Sequence, residues 1–438
     1  MAEKAQEIAF TKSQVNGMNL HILQTEKFKS ITMIVNIEQE LTEEYASKTA
    51  LLAMVLKRAT ARFPEPQKLR QHLDYLYGAI FDVDVAKKGE RQILQLYMEV
   101  PNEKYLSGNQ SLVEDAIEFV GDILTRPYLV NDQFDSTYVE AEKKSLTKKI
   151  ESIVNDKMRY ANQRITEEMF KGEPYATSAF GTIAHVTKID AASLTDYYRQ
   201  FVENNPLEIF VVGDVKEDEI TSLCKKHLQL PSKRKSNLDI QQVSKKVTEQ
   251  KAIVDRMDVN QAKLNIGCRS NIVYKDDDYP ALLVYNGILG GFPHSKLFLN
   301  VREKASLAYY AVSRLESHKG VVMMMSGIDV NNYEKAVTII KEQMAMMENG
   351  EISQEEMDMT KATLYNQFKE LLDSGRMMVD FAYNGVISGR ARDLQTLLSE
   401  IEKVKVQDVV NVAKKIELDT IYLLRDKKGG EKSENSNI

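Results

Sequence analysis

Histidine and cysteine are scarce in this chain. The six histidines are His21, His72, His185, His227, His294 and His318, and no two stand three or four residues apart. No pair can therefore grip a metal ion from one face of a helix. The two cysteines, Cys224 and Cys268, lie far apart and in no metal-like spacing. That argues against a disulfide framework and for a reducing compartment. No run of about 18 uncharged apolar residues exists, so no membrane span is expected. The opening MAEKAQEIAF has no apolar stretch of the secretory kind, and with the thiols this predicts a cytoplasmic protein. Positive charge is not in excess either. The net charge is -6, spread along the chain, which argues against a nucleic-acid surface.

What is present is an ordinary soluble composition, 43% hydrophobic and 28% charged, over 438 residues, too many for one core. The order of patterns repeats. A strand pattern SITMIVNIEQE, an acidic opening LTEEYA and an apolar helix SKTALLAMVLKRAT recur later as AKLNIGCRS, YKDDDYPA and LLVYNGILG. Next, LDYLYGAIFDVDVAKKGERQILQLYMEV is matched by KASLAYYAVSRLESHKGVVMMMSGIDV. Each reads as two alternating strands joined at a Lys-Gly turn, Lys88-Gly89 and Lys319-Gly320. In this alignment Tyr77 matches Tyr309. Amphipathic helices, long charged helices and a closing helix and strand follow in both halves. The reading is α+β: two homologous αβ domains, each a largely antiparallel sheet with helices packed on one side, joined by a linker and enclosing a cleft. The expected bounds are 1–228 for the first domain, 229–247 for a Lys- and Ser-rich linker, 248–427 for the second domain and 428–438 for a disordered tail.

Two stretches carry a resemblance. GILGGFPHSKLFLNVREKASLAYYAV contains Arg302, Glu303, Lys304, Leu307, Ala308 and Tyr309, similar to an Arg-Glu-Lys-x-Gly-Leu-Ala-Tyr signature with Ser306 in place of glycine. LEIFVVGDV is the second stretch. With the duplicated order, the chain resembles the insulinase/pitrilysin zinc peptidases, in the short-chain branch that includes the mitochondrial processing peptidase, over about residues 8–425. The resemblance implies an inverted His-x-x-Glu-His helix, whose two imidazoles hold zinc while the glutamate acts as general base. Here those places fall to Thr49, Leu52 and Ala53, and the downstream ligand position to Lys149. None of these side chains replaces its counterpart on zinc.

The resemblance then implies an inactive homologue. In its two-chain members one subunit carries the zinc motif, and the other supplies the Arg/Tyr pair. Arg302 and Tyr309 are the candidates for binding a substrate carbonyl or oxyanion, working only in complex with a subunit that carries His-x-x-Glu-His. No cofactor is expected in this chain, and zinc only in the partner. Unfolded or short peptides are the implied substrates, and Gly290 and Gly291 a candidate substrate loop. In isolation the chain could pair with itself as a homodimer. The alternative is a structural or peptide-binding scaffold with no part in catalysis.

Overall fold

The computed structural model describes residues 9–107, 111–230, 234, 237, 238, 240 and 245–427. The tail expected over 428–438, and much of the linker expected over 229–247, lie outside the described residues. Of that linker, Leu230 belongs to the first core and Leu238 is buried.

The first half contributes β1 (Thr11–Val15), β2 (Met18–Gln24), β3 (Ser30–Glu40), β4 (Ile80–Lys88), β5 (Arg91–Pro101), the short ribbon β6 (Leu129–Val130) and β7 (Gln133–Phe134), and β8 (Leu207–Gly213). The second contributes β9 (Lys251–Met257), β10 (Ala262–Arg269), β11 (Ala308–Glu316), β12 (Val321–Ile328) and β13 (Glu417–Asp426). They form two large sheets, ordered β1-β2-β8-β3-β5-β4 and β11-β12-β10-β13-β9. Among the described residues, only β2 with β8 and β9 with β13 pair in parallel; the other pairings are antiparallel. Both Lys-Gly turns form as the sequence indicates. Gly89 closes β4 to β5 with φ 56°, and Gly320 closes β11 to β12 with φ 73°, the left-handed region glycine enters freely.

One face of each sheet takes the helices of its own half. Leu94 and Leu96 of β5 pack in one cluster with Leu51 and Leu52 of the helix Glu43–Leu56 and with Phe119 and Val120 of the helix Leu112–Thr125. The second cluster does the same with Leu264 and Ile266 of β10 and Leu282 and Val284 of the helix Tyr279–Asn286.

The other face is covered from across the molecule. The helix Lys157–Met169 leaves the first half and lays Ala161 and Ile165 against Tyr422 and Leu424 of β13. The helix Gly375–Ser388 makes the reciprocal crossing, with Met378 and Val379 in one cluster with Ile34, Phe210 and Val212 of the first sheet. Close approach is built in. A Cβ on Gly375 would stand 2.9 Å from Thr32 Oγ1, and one on Gly267 2.5 Å from Met169 Sδ.

The two Lys-Gly turns meet where the halves join. A Cβ on Gly89 would stand 2.8 Å from the His318 carbonyl. Lys319 Nζ lies 2.5 Å from Glu90 Oε1 and 2.9 Å from Glu173 Oε2. Arg269 adds a contact to Glu173 at 2.8 Å and another to Asp419 at 2.7 Å, all three side chains buried. Burial alone would raise the Glu173 carboxyl, but hydrogen bonds from Arg269 and Lys319 outweigh it and hold it down at about 2.

Candidate functional site

The helix Glu43–Leu56 starts on Thr42, whose Oγ1 accepts from the Tyr45 N–H at 3.1 Å, with Glu43 and Glu44 in its first turn. Thr49 therefore sits in mid-helix rather than at its beginning. Its side chain is buried, and its hydroxyl is held by the Tyr45 carbonyl at 2.8 Å and the Tyr197 phenol at 2.6 Å. Leu52 and Ala53 are core residues. Lys149 stands on the helix Ser136–Glu151, which packs beside the first. Its Nζ is 3.5 Å from Asp84 Oδ1 and 4.1 Å from the centre of the Phe180 ring.

The segment around Phe180 closes over the same helix. The Thr182 N–H donates to Ser47 Oγ at 3.1 Å, and Gln92 Nε2 donates to the carbonyls of Ala46 at 2.9 Å and Ala179 at 2.6 Å. The four positions thus offer an engaged hydroxyl, two hydrocarbons and a cation. That donor set does not fit zinc, which takes thiolate, imidazole or carboxylate ligands. Among the described residues, no group of three or more His, Cys, Asp or Glu is placed to hold a metal ion.

The Arg302 and Tyr309 corner is built differently. Phe298–Lys304 is a wide, π-type helical turn, and Arg302 stands in its last part. The Leu307 N–H closes back on the Val301 carbonyl at 3.1 Å. Ser306 takes φ 51° at the place where the signature has glycine, so the backbone needs there what glycine provides. Then β11 begins with an irregularity. Ala308 pairs with Ile328 and Tyr310 with Gly327, which leaves Tyr309 as an extra residue on an edge strand. Such bulges re-aim a side chain, and Tyr309 is 79% exposed. Its phenol has no hydrogen-bond partner among the described residues.

Arg302 is half-exposed. Its Nε is 3.5 Å from Glu303 Oε1, and its guanidinium lies 4.5 Å over the Phe298 ring. Glu303 is itself exposed, so the pair is a weak surface contact, not a buried carboxylate holding the arginine. Neither the bulge nor the Ser306 backbone was readable from residue periodicity. The mismatch with glycine at Ser306 was the one signal that this turn is special.

The glycines read as a substrate loop lie elsewhere in character. Gly287–Gly291 continues the helix Tyr279–Asn286 as a π-type turn. Gly290 is buried, and a Cβ there would meet the Ser313 nitrogen at 2.6 Å and Leu297 Cδ1 at 2.8 Å. It is a glycine because β11 passes over it. Gly291 is exposed. Tyr77, matched to Tyr309 by the repeat, sits in a left-handed turn ahead of β4 with φ 57° instead of within the edge strand. Both cysteines are buried free thiols, and burial pushes Cys224 up to about 12.

Comparison with known proteins follows the same lines. The family described as "Peptidase M16 inactive domain" matches residues 188–364. The chain is 41% identical over 418 residues to "Probable inactive metalloprotease YmfF" of Bacillus subtilis, covering 95% of this chain and 98% of that protein. It is 20% identical to "Uncharacterized zinc protease YmxG" of the same organism, covering 72% of this chain and 76% of the other. Among solved structures, a conserved protein from Enterococcus faecalis superposes with TM-score 0.89 at 32% identity, over 96% of this chain and all 100% of that one. A peptidase M16 inactive domain from Pseudomonas fluorescens superposes with TM-score 0.78 at 16% identity, over 96% and 99% of the two chains, a likeness of fold.

Proposed function

The chain belongs to the peptidase M16 family as an inactive homologue, and from that premise we propose that it is the non-catalytic subunit of a heteromeric zinc metallopeptidase. Arg302 and Tyr309 would act in trans, toward a subunit that carries His-x-x-Glu-His and holds the zinc. The guanidinium fork and the phenol would together hold the carbonyl of a bound peptide, and then the oxyanion that forms on it. Alone, the chain would cleave nothing and need no cofactor. Its substrates in complex would be short or unfolded peptides. Its free thiols suit a cytoplasmic setting, and no helix among the described residues is long and apolar enough to cross a membrane.

The observation that supports this reading is the state of Tyr309. A large aromatic residue on an edge strand is lifted outward by a bulge, 79% exposed, with its hydroxyl unengaged. Core packing gives no reason for that arrangement. A surface that awaits an opposite wall does. The test begins with native co-purification, which should bring a chain bearing His-x-x-Glu-His. In the reconstituted complex, Arg302→Ala or Tyr309→Phe should lower kcat/KM on the order of a hundredfold while assembly is retained. Full activity in both variants would leave the scaffold role. The specific observation on that side is the Arg302 contact with Glu303, which gives the guanidinium a neighbour of its own.

A further inference from the structure

A pocket of about 520 Å³ opens at one edge of the first sheet, within the size range of small-molecule sites. In the order β1-β2-β8-β3-β5-β4 it belongs to β1, β2 and β8, at the end away from β4. Leu20 and Ile22 of β2 point into the first core, so Asn19 and His21 point to the other face. That face is opposite the degenerate zinc helix, whose Leu51 and Leu52 lie in the first core. The second wall is the end of the helix Gly375–Ser388, with Val386, and with Ala391 just beyond it.

Its floor is a relay of hydrogen bonds. Gln14 Nε2 donates to Asn19 Oδ1 at 3.3 Å, and Asn19 Nδ2 donates to Glu208 Oε1 at 2.8 Å. His21 Nε2 lies 2.5 Å from Glu208 Oε2, with both side chains buried. The His21 ring is stacked on Phe210 at 4.4 Å, which fixes its plane. Both Glu208 oxygens are thus taken. Glu208 has no guanidinium or ammonium in ion-pair contact among the described residues. Its neighbour Glu38 on β3 pairs with Arg91 of β5 at 3.0 Å, and Tyr383 of the crossing helix brings only a phenol near the two carboxylates. His21 is therefore the group in contact that can answer the Glu208 charge. A ring carrying both protons donates to Glu208 through Nε2 and has the Nδ1–H left over. Nδ1 has no partner among the described residues.

Lys12 supplies a second donor. It stands directly opposite His21 in the register of β1 and β2, so the two side chains leave the same face about 5 Å apart at their Cβ atoms. Lys12 is exposed and has no ion pair among the described residues. One ammonium and one ring N–H suit the two oxygens of a carboxylate. A doubly charged group is disfavoured, because the wall opposite is the C-terminal end of a helix, which carries partial negative charge. The pocket is larger than a carboxylate alone, and Val386 and Ala391 give an organic body apolar contact.

We propose that this pocket binds a small organic monocarboxylate, its two oxygens held by His21 Nδ1 and Lys12 Nζ and its body against the end of the helix Gly375–Ser388. The ligand would touch the first sheet and a helix of the second half at once, and so stabilise their contact by mass action. The site uses neither Arg302 nor Tyr309 and needs no partner subunit, so its test is independent of the role proposed for that pair.

The experiment is calorimetric titration of the full chain with benzoate, with its neutral isostere benzamide and with the dianion terephthalate. Benzoate should bind at one site at millimolar concentration, benzamide at least tenfold more weakly, and terephthalate more weakly than benzoate. Lys12→Gln, at an exposed position, should weaken benzoate at least tenfold and shrink its advantage over benzamide, while Lys12→Arg should keep both. His21→Gln should lose benzoate as well, with its melting temperature confirming that it folds; if it does not fold, the two Lys12 variants decide. No binding of benzoate at millimolar concentration overturns the proposal. So does equal binding of benzoate and benzamide, or undiminished binding in Lys12→Gln. Terephthalate binding as tightly as benzoate overturns the choice of a single charge.

Discussion

The two halves share a five-strand core in the same order, β2-β8-β3-β5-β4 and β9-β13-β10-β12-β11, and leave their key residues in opposite states. In the first half three of the four positions that the resemblance assigns to a zinc site are buried in the packing, and the fourth, Lys149, is exposed. Thr49 is bonded to Tyr197, Leu52 and Ala53 are core, and Lys149 rests over Phe180. In the second half the corner at Arg302 and Tyr309 remains open, one residue weakly paired and the other bare. A vacated site in a protein interior becomes packing, because interiors tolerate neither voids nor unpaired polar groups. A surface site faces no such pressure, and Tyr309 stays exposed on its bulge.

The sharpest way to break this contrast is to restore the first half. Leu52→Glu should place an unpaired carboxylate in the core and cost about 4 kcal/mol or more, seen as a large fall in the urea midpoint. Thr49→His, Leu52→Glu and Ala53→His together should give a chain that does not fold around zinc. A folded triple variant holding one zinc per chain would show that the site had kept its shape.

Next in size is the seam. Arg269→Ala leaves the buried Asp419 without its cation and takes one cation from Glu173, which keeps Lys319, and should destabilise by roughly 3–5 kcal/mol. The same cluster sets an acid limit. Glu173 is held at about 2 in the folded chain against an ordinary 4.5. Its contribution is therefore present above about 4.5 and lost as the pH falls through that window toward 2. Melting temperatures from pH 7 to pH 2 should converge for the native chain and Glu173→Gln at the acid end. Parallel curves would remove Glu173 from the account.

These two regions also differ in how far the sequence exposed them. The hairpins were legible, because a strand period of two is a local fact. Lys88-Gly89 and Lys319-Gly320 fell where expected for that reason. The crossing helices were not legible. KMRYANQRITEEM is polar enough to read as a solvated helix, and only the far sheet shows why Ala161 and Ile165 are apolar. The close approach of β11 to Gly290 was not legible, because the strand that crosses it lies further along the chain. The Tyr309 bulge depends on its register with Ile328 and Gly327, which no single segment encodes. Leu230 and Leu238 look like stray residues in a polar linker until their burial is seen.

Smaller effects are expected at the open corner itself. On the isolated chain, Arg302→Ala and Tyr309→Phe should each change stability by less than about 0.5 kcal/mol, as surface substitutions do. A loss of 2 kcal/mol in either would mean that the residue is structural, and the contrast between halves would weaken.

A gain of similar size is expected at the turn that sets this corner. Ser306 is exposed and holds φ 51°, a region that costs an L-residue roughly 1–2 kcal/mol. Its hydroxyl recovers part of this by donating to the Glu303 carbonyl at 3.2 Å. Glycine would remove the backbone cost, lose that exposed hydrogen bond and add its own entropy in the unfolded chain, about 0.5–1 kcal/mol. The balance should leave Ser306→Gly stabilised by about 0.5 kcal/mol or less. Ser306→Val, with a branched Cβ at the same angle and no hydroxyl, should lose more than 1 kcal/mol. Urea unfolding of the two variants reads both signs at once. If valine is tolerated as well as glycine, the backbone at Ser306 is not left-handed in solution, and the path that carries Arg302 to Tyr309 differs from the one described.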